Sequence, residues 1–122
     1  MKTSRLKGHN FEREIACQFR EELRFYDCMT HREARGGDWS KTDLGIDLVN
    51  TEPFQIQCKR LQNYAPIQTI NEIQCDRDKG DIPLLITKAN NKETMCVLPW
   101  EDFKKILHML HFSGQLTAQN NS

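Results

Sequence analysis

Apolar residues near the start of the chain recur at helical spacing. Four of them stand four residues apart, which places them on one face of an α-helix: Phe11, Ile15, Phe19 and Leu23. Asn10 is a suitable N-cap, so we predict a helix over residues 10–25. Residues 26–31 favour a short strand, and the polar, glycine-containing residues 32–42 favour a loop. A loop of that length in a small domain is often functional.

Short apolar runs in the middle of the chain predict two strands. Residues 44–49 are largely apolar, and residues 54–59 alternate between apolar and polar side chains. The turn-forming residues 50–53 lie between them. We therefore predict a hairpin formed by these two strands.

The second half of the chain predicts two further helices and two further strands. A proline start, a glycine stop and isoleucines at intervals of three indicate a helix over residues 66–79. Strands are predicted at 83–88 and 94–98, and a last helix is predicted from near Pro99. Trp100 is expected to pack at the start of that helix, which should also bury four apolar side chains: Phe103, Ile106, Leu107 and Leu110.

The order of these elements predicts an α/β fold. Helix, strand, strand, strand, helix, strand, strand and helix suit a central mixed sheet flanked by helices. A chain of 122 residues accommodates one core, so we predict a single domain over residues 1–112 and a flexible polar tail over 113–122.

Composition excludes several classes of protein and names no partner. Lysine and arginine together number 17 and balance 17 acidic residues, which excludes a polybasic nucleic-acid tail and an acidic disordered segment. No apolar run has the length of a membrane span, and no signal peptide is evident, so no membrane association and a cytoplasmic location are predicted. The five cysteines lack the spacing of zinc ligands and are expected to be free thiols.

Four polar residues form a candidate catalytic group. Glu12 lies on the helix face that should meet the sheet, and Asp47 interrupts an apolar strand. Gln57 and Lys59 share one face of the next strand. Each has a plainer explanation: a helix-dipole partner for Glu12, a strand end for Asp47, and a solvated sheet face for the other two. If the four converge, their oxygens suit Mg²⁺ or Mn²⁺, and a metal with a lysine suits phosphodiester hydrolysis.

The order of these residues resembles a known nuclease core. Asp47 followed by Gln57-Cys58-Lys59, with Glu12 on a preceding helix, is similar to the PD-(D/E)XK nucleases. Within that superfamily, residues 7–14 resemble the Lys-Gly-x-x-x-Glu-Arg-Glu opening of the archaeal and phage Holliday-junction resolvases. The resemblance implies a restriction-endonuclease-like αβββαβ core that covers roughly residues 5–100.

The resemblance implies a role for each member of the group. Glu12, Asp47 and Gln57 would surround an Mg²⁺ or Mn²⁺ ion, with the backbone carbonyl of Cys58 as a further ligand. Lys59 would be the catalytic lysine. Water would attack phosphorus in line and leave a 5′-phosphate and a 3′-hydroxyl. The family pattern has an acid two residues before the lysine, where this chain has a neutral amide; Asp43 or Asp38 is a candidate for the missing charge.

The same resemblance implies DNA contacts and a dimer. Arg13 would contact a phosphate, and Arg32 or Arg35 would fill the place of an arginine found before the acidic strand; spacing does not choose between them. Arg13, Arg20 and Arg24 should form a basic stripe on the first helix, which Lys7 and the N-terminal arm extend. Solvated ion pairing is the alternative for the stripe. The relatives act as homodimers on four-way junctions.

Three functions therefore remain open from the sequence. The first is a metal-dependent endonuclease that resolves four-way DNA junctions. The second is a nuclease of the same core that acts on linear duplex DNA. The third is a DNA-binding module that kept the fold while Gln57 cost it the metal and the catalysis.

Overall fold

The first helix carries much of the core. The computed structural model describes residues 2–34 and 45–117, with side chains from residue 6. Helix α1 (Lys2–Glu21) begins eight residues earlier and ends four residues earlier than predicted. Its apolar face packs against the sheet through Phe11, Ile15, Ala16 and Phe19. Leu23 lies beyond the helix end with 54% of its surface exposed, so its predicted place on that face is wrong.

Two short strands follow α1 and pair with each other. Strand β1 (Met29–Thr30) leads directly into the one-turn helix α2 (His31–Ala34), where a loop had been predicted. Strand β2 (Leu48–Val49) pairs with β1 in antiparallel orientation. We had predicted a hairpin between residues 44–49 and residues 54–59. The observed pairing of β2 with β1 differs from that prediction.

A three-stranded mixed sheet forms the centre of the fold. Strand β3 (Phe54–Leu61) runs parallel to β4 (Ile82–Ala89), and β4 pairs in antiparallel orientation with β5 (Met95–Val97). These three strands confirm the predicted ones to within two residues at each end. Side chains of β3 alternate: Ile56 and Cys58 join the core beneath α1, and Gln57 leaves the opposite face.

The segment between β3 and β4 is not the α-helix that was predicted. It forms two 3₁₀ helices, Ile67–Glu72 and Arg77–Lys79. Isoleucines three residues apart match the three-residue turn of a 3₁₀ helix better than the 3.6-residue turn of an α-helix. The stop at Gly80 is confirmed, since this glycine takes a left-handed conformation with φ 86°.

The last helix, α3 (Trp100–Phe112), starts after Pro99 as predicted but packs differently. Its buried residue is Asp102, which receives two hydrogen bonds from Arg77 at 2.6 and 2.8 Å. Phe103 is 40% exposed and the other three predicted core residues are half-buried. Trp100 is 63% exposed, so its predicted packing role is wrong.

None of the described helices is both long enough and apolar enough to span a membrane.

Candidate active site

Asp47 is held where the two sheets meet. Its backbone N–H donates to the carbonyl of Ile56 at 2.7 Å, and its own carbonyl accepts from the N–H of His31 at 2.7 Å. Its carboxylate Oδ2 accepts a hydrogen bond from the backbone N–H of Cys58, also at 2.7 Å. Three bonds therefore fix the position of this acid beside the middle of β3.

The buried Cys58 thiol of β3 interacts electrostatically with both candidate acids. Burial, followed by the negative charges of Asp47 and Glu12, raises the pKa of the Cys58 thiol well above its usual value. Both carboxylates therefore act on one sulfur, although Glu12 comes from α1 and Asp47 from the segment before β2. Glu12 is half-buried on α1, the helix that packs against the sheet, and its place in the candidate site stays a prediction. Cys58 itself remains a neutral thiol at physiological pH.

Gln57 points to the other side of β3. Only 5% of its surface is exposed, and its side-chain oxygen Oε1 is buried without a hydrogen-bond partner among the described residues. Its amide nitrogen Nε2 donates a long hydrogen bond, 3.4 Å, to the Oε1 atom of Glu72. Glu72 ends the first 3₁₀ helix and was not among the predicted site residues, since an exposed glutamate is ordinary at that place.

Lys59 shares the face of Gln57, as the alternation of β3 predicts. It is half-buried and lies opposite Thr87 in the register with β4. Its catalytic role stays a prediction, as does the ligand role of the Cys58 carbonyl.

The donor set suits a hard divalent cation in its chemistry. The carboxylate of Asp47 lies beside β3 at the backbone of Cys58, and the neighbouring Gln57 offers a buried oxygen that has no hydrogen-bond partner among the described residues. Carboxylate, amide and carbonyl oxygens are the ligands that Mg²⁺ and Mn²⁺ take in proteins. In the part of the chain that the structure describes, no three His, Cys, Asp or Glu side chains group as a metal site. The amide at position 57 is what keeps the group from containing a third acid at that place.

The predicted DNA contacts separate into different structural roles. Lys7 and Arg13 are exposed on α1, which suits phosphate contact. Arg20 instead donates from Nη1 to the carbonyl of Cys28 at 2.9 Å and so ties the end of α1 to the segment before β1. Arg24 lies beyond the helix with φ 65°, so the predicted three-arginine stripe is wrong.

Other predicted residues lie near the site or outside the described chain. Arg32 is half-buried on α2, next to the His31 N–H that bonds Asp47. Arg35 and the two predicted candidates for the missing charge, Asp38 and Asp43, lie outside the described residues.

Comparison with known proteins gives no relative. No family model, no curated protein sequence and no solved structure matches the chain.

Proposed function

We propose that this protein is a metal-dependent DNA endonuclease that cuts branched DNA, above all four-way junctions, by phosphodiester hydrolysis. The observation that carries the proposal is the hydrogen bond by which the carboxylate of Asp47 accepts, at 2.7 Å, from the backbone N–H of Cys58, the β3 residue between Gln57 and Lys59. In this proposal Glu12 from the first helix, Asp47 before β2 and Lys59 on β3 act together at this strand.

Each residue has a task that follows from its place. Glu12 and Asp47 supply the negative charge that holds a divalent cation, and the unpartnered Oε1 of Gln57 supplies a neutral oxygen. When bound, Mg²⁺ polarises the phosphodiester and lowers the pKa of the attacking water. Lys59 stabilises the negative charge that grows on the phosphate oxygens. Arg13 and Lys7 hold the DNA backbone beside this group.

Two copies of the chain suit a four-way junction, whose opposed strands are related by two-fold symmetry. Each copy would place one such site on one strand. Exposed apolar side chains on α3 support burial against a second copy, since Trp100 is 63% and Phe112 93% exposed in the single chain.

A second candidate is a non-catalytic DNA-binding module of the same fold. The neutral Gln57 favours it, because one negative charge fewer weakens the attraction for a divalent cation. A nuclease that acts on linear duplex DNA is the third candidate, with the same chemistry and a different substrate.

One assay separates the three. A labelled four-way junction and a linear duplex of the same sequence are incubated with the protein and with Mg²⁺, Mn²⁺ or EDTA. Metal-dependent nicks confined to the junction support the proposal. Cutting of both DNAs supports the duplex nuclease, and tight junction binding without any cutting supports the module.

A further inference from the structure

Glu72 contacts the one member of the candidate group that departs from the acidic pattern. Its carboxylate accepts the hydrogen bond from Nε2 of Gln57, so a negative charge lies against the neutral amide. Glu72 is exposed to solvent on its other side. The pair together carries the single negative charge that a glutamate at position 57 would carry alone.

The contact also decides which way the Gln57 amide faces. A carboxylate only accepts hydrogen bonds, so the amide nitrogen must point to Glu72 and Oε1 must point away from it. Oε1 is then buried and has no hydrogen-bond partner within the described chain, an arrangement that ordinarily destabilises the folded state. A buried oxygen without a hydrogen-bond partner is available to bind a cation. Without the Glu72 carboxylate, the Gln57 amide is free to rotate and to place its N–H groups where Oε1 lies.

The backbone of Glu72 is fastened close to the segment that carries Asp47. Gly45 has φ 71°, and a Cβ at that position would overlap the carbonyl oxygen of Glu72. Asp47 follows two residues later. Glu72 is therefore packed against the turn that leads into Asp47 and is hydrogen-bonded to Gln57.

We infer that Glu72 is a positioning residue of the metal site: it holds the Gln57 amide with Oε1 towards the cation and supplies the negative charge that the amide lacks. This inference rests on the proposed function. Mutation of a group that orients a metal ligand in this way commonly lowers metal affinity by about 10–100-fold.

The test measures Mn²⁺ binding to the full chain by titration calorimetry in the absence of DNA. Glu72→Gln should weaken Mn²⁺ binding about 10-fold. Glu93→Gln is the matched control, an exposed glutamate in the β4–β5 turn, and should bind like the wild type. Thermal unfolding in EDTA accompanies each variant, because a purely structural role would lower the melting temperature and leave the affinity of the folded protein unchanged.

A charge swap makes the inference specific. In the double variant Gln57→Glu/Glu72→Gln the carboxylate moves onto β3 and the amide onto the 3₁₀ helix, so the hydrogen bond and the net charge are kept. Its Mn²⁺ affinity should return to within about threefold of the wild type. A double variant as weak as Glu72→Gln alone would overturn the inference.

The remaining outcomes distinguish this inference from the proposed function. If Glu72→Gln binds Mn²⁺ as the wild type does while Asp47→Asn loses binding, Glu72 has no part in the site and the metal-dependent function stands. If the wild type itself binds no Mn²⁺, both the inference and the metal-dependent function are overturned.

Discussion

The carboxylate of Asp47 accepts a hydrogen bond from the backbone N–H of Cys58, at 2.7 Å. This acid therefore has two tasks. It completes the hydrogen bonding of β3 where β2 is too short to pair with it, and it places a negative charge beside the strand residues of the candidate site. The two tasks are separable by mutation because only one of them needs the charge.

Asp47→Asn should abolish cleavage and leave the fold and junction binding nearly intact. An asparagine keeps an oxygen that accepts from the Cys58 N–H, but it carries no charge for a cation. Asp47→Ala should in addition lower the free energy of unfolding by about 1–3 kcal/mol, because the N–H loses its partner. Junction cleavage, gel mobility and urea unfolding measure the three quantities. Equal loss of cleavage and binding in Asp47→Asn would contradict the assignment.

Lys59→Ala should abolish cleavage while junction binding falls less than about threefold. The lysine acts on charge that develops during the reaction, so its loss affects the rate more than the affinity. Lys88→Ala is the matched control: this lysine is half-buried on the adjacent strand, lies opposite Arg60 in the register and so leaves the other face of the sheet. Cleavage by Lys59→Ala at the wild-type rate would remove the lysine from the mechanism.

Removal of Arg13 and removal of Arg20 should affect different properties of the protein. Arg13→Ala should weaken junction binding and make its salt dependence shallower by about 0.9 in the log–log slope, as for one lost phosphate contact. Arg20→Ala should lower the melting temperature instead, since its guanidinium ties α1 to the Cys28 carbonyl. Binding measured from 50 to 200 mM salt, together with thermal unfolding, checks both. An unchanged slope in Arg13→Ala would exclude Arg13 from the phosphate contacts.

The contact between Arg77 and Asp102 should contribute more to the stability of α3 in the fold than the exposed ion pairs of this helix. Arg77→Ala removes the nitrogen Nη2 that donates to both oxygens of this fully buried carboxylate, leaves it among the described residues only the more distant Lys105 at 4.0 Å, and should lower the free energy of unfolding by roughly 2–3 kcal/mol. Lys104→Ala breaks the exposed pair with Glu101 and should cost less than about 1 kcal/mol. Urea unfolding compares the two. Equal costs would mean that burial of Asp102 does not strengthen its pair.

Local pattern predicted the elements better than it predicted their packing. The strands at β3, β4 and β5 were found because alternation and apolar runs follow directly from a pleated sheet. The packing of α3 was not, because an apolar stripe on a helix does not reveal whether another element covers it. There the buried residue proved to be a charged one, Asp102, whose partner lies 25 positions earlier in the chain.

The candidate site shows the same division. Asp47 lies beside β3, and Glu12 lies on the helix that packs against the sheet, since helix periodicity and the order of elements constrain both positions. Glu72 was missed, because its proposed role depends on a 3₁₀ helix where the sequence pattern predicted an α-helix. The role also depends on the close approach of Gly45 to the backbone of Glu72. Contacts of that kind depend on backbone geometry that no residue pattern encodes.

The most direct test of the central claim is strand-by-strand mapping of junction cleavage. Each of the four strands of a junction is end-labelled in turn and incubated with Mg²⁺ and either the wild type or Asp47→Asn. We predict nicks on two opposed strands, symmetric about the crossover and absent with Asp47→Asn or EDTA. An uncut junction at saturating protein, or cutting by Asp47→Asn at the wild-type rate, would contradict the account.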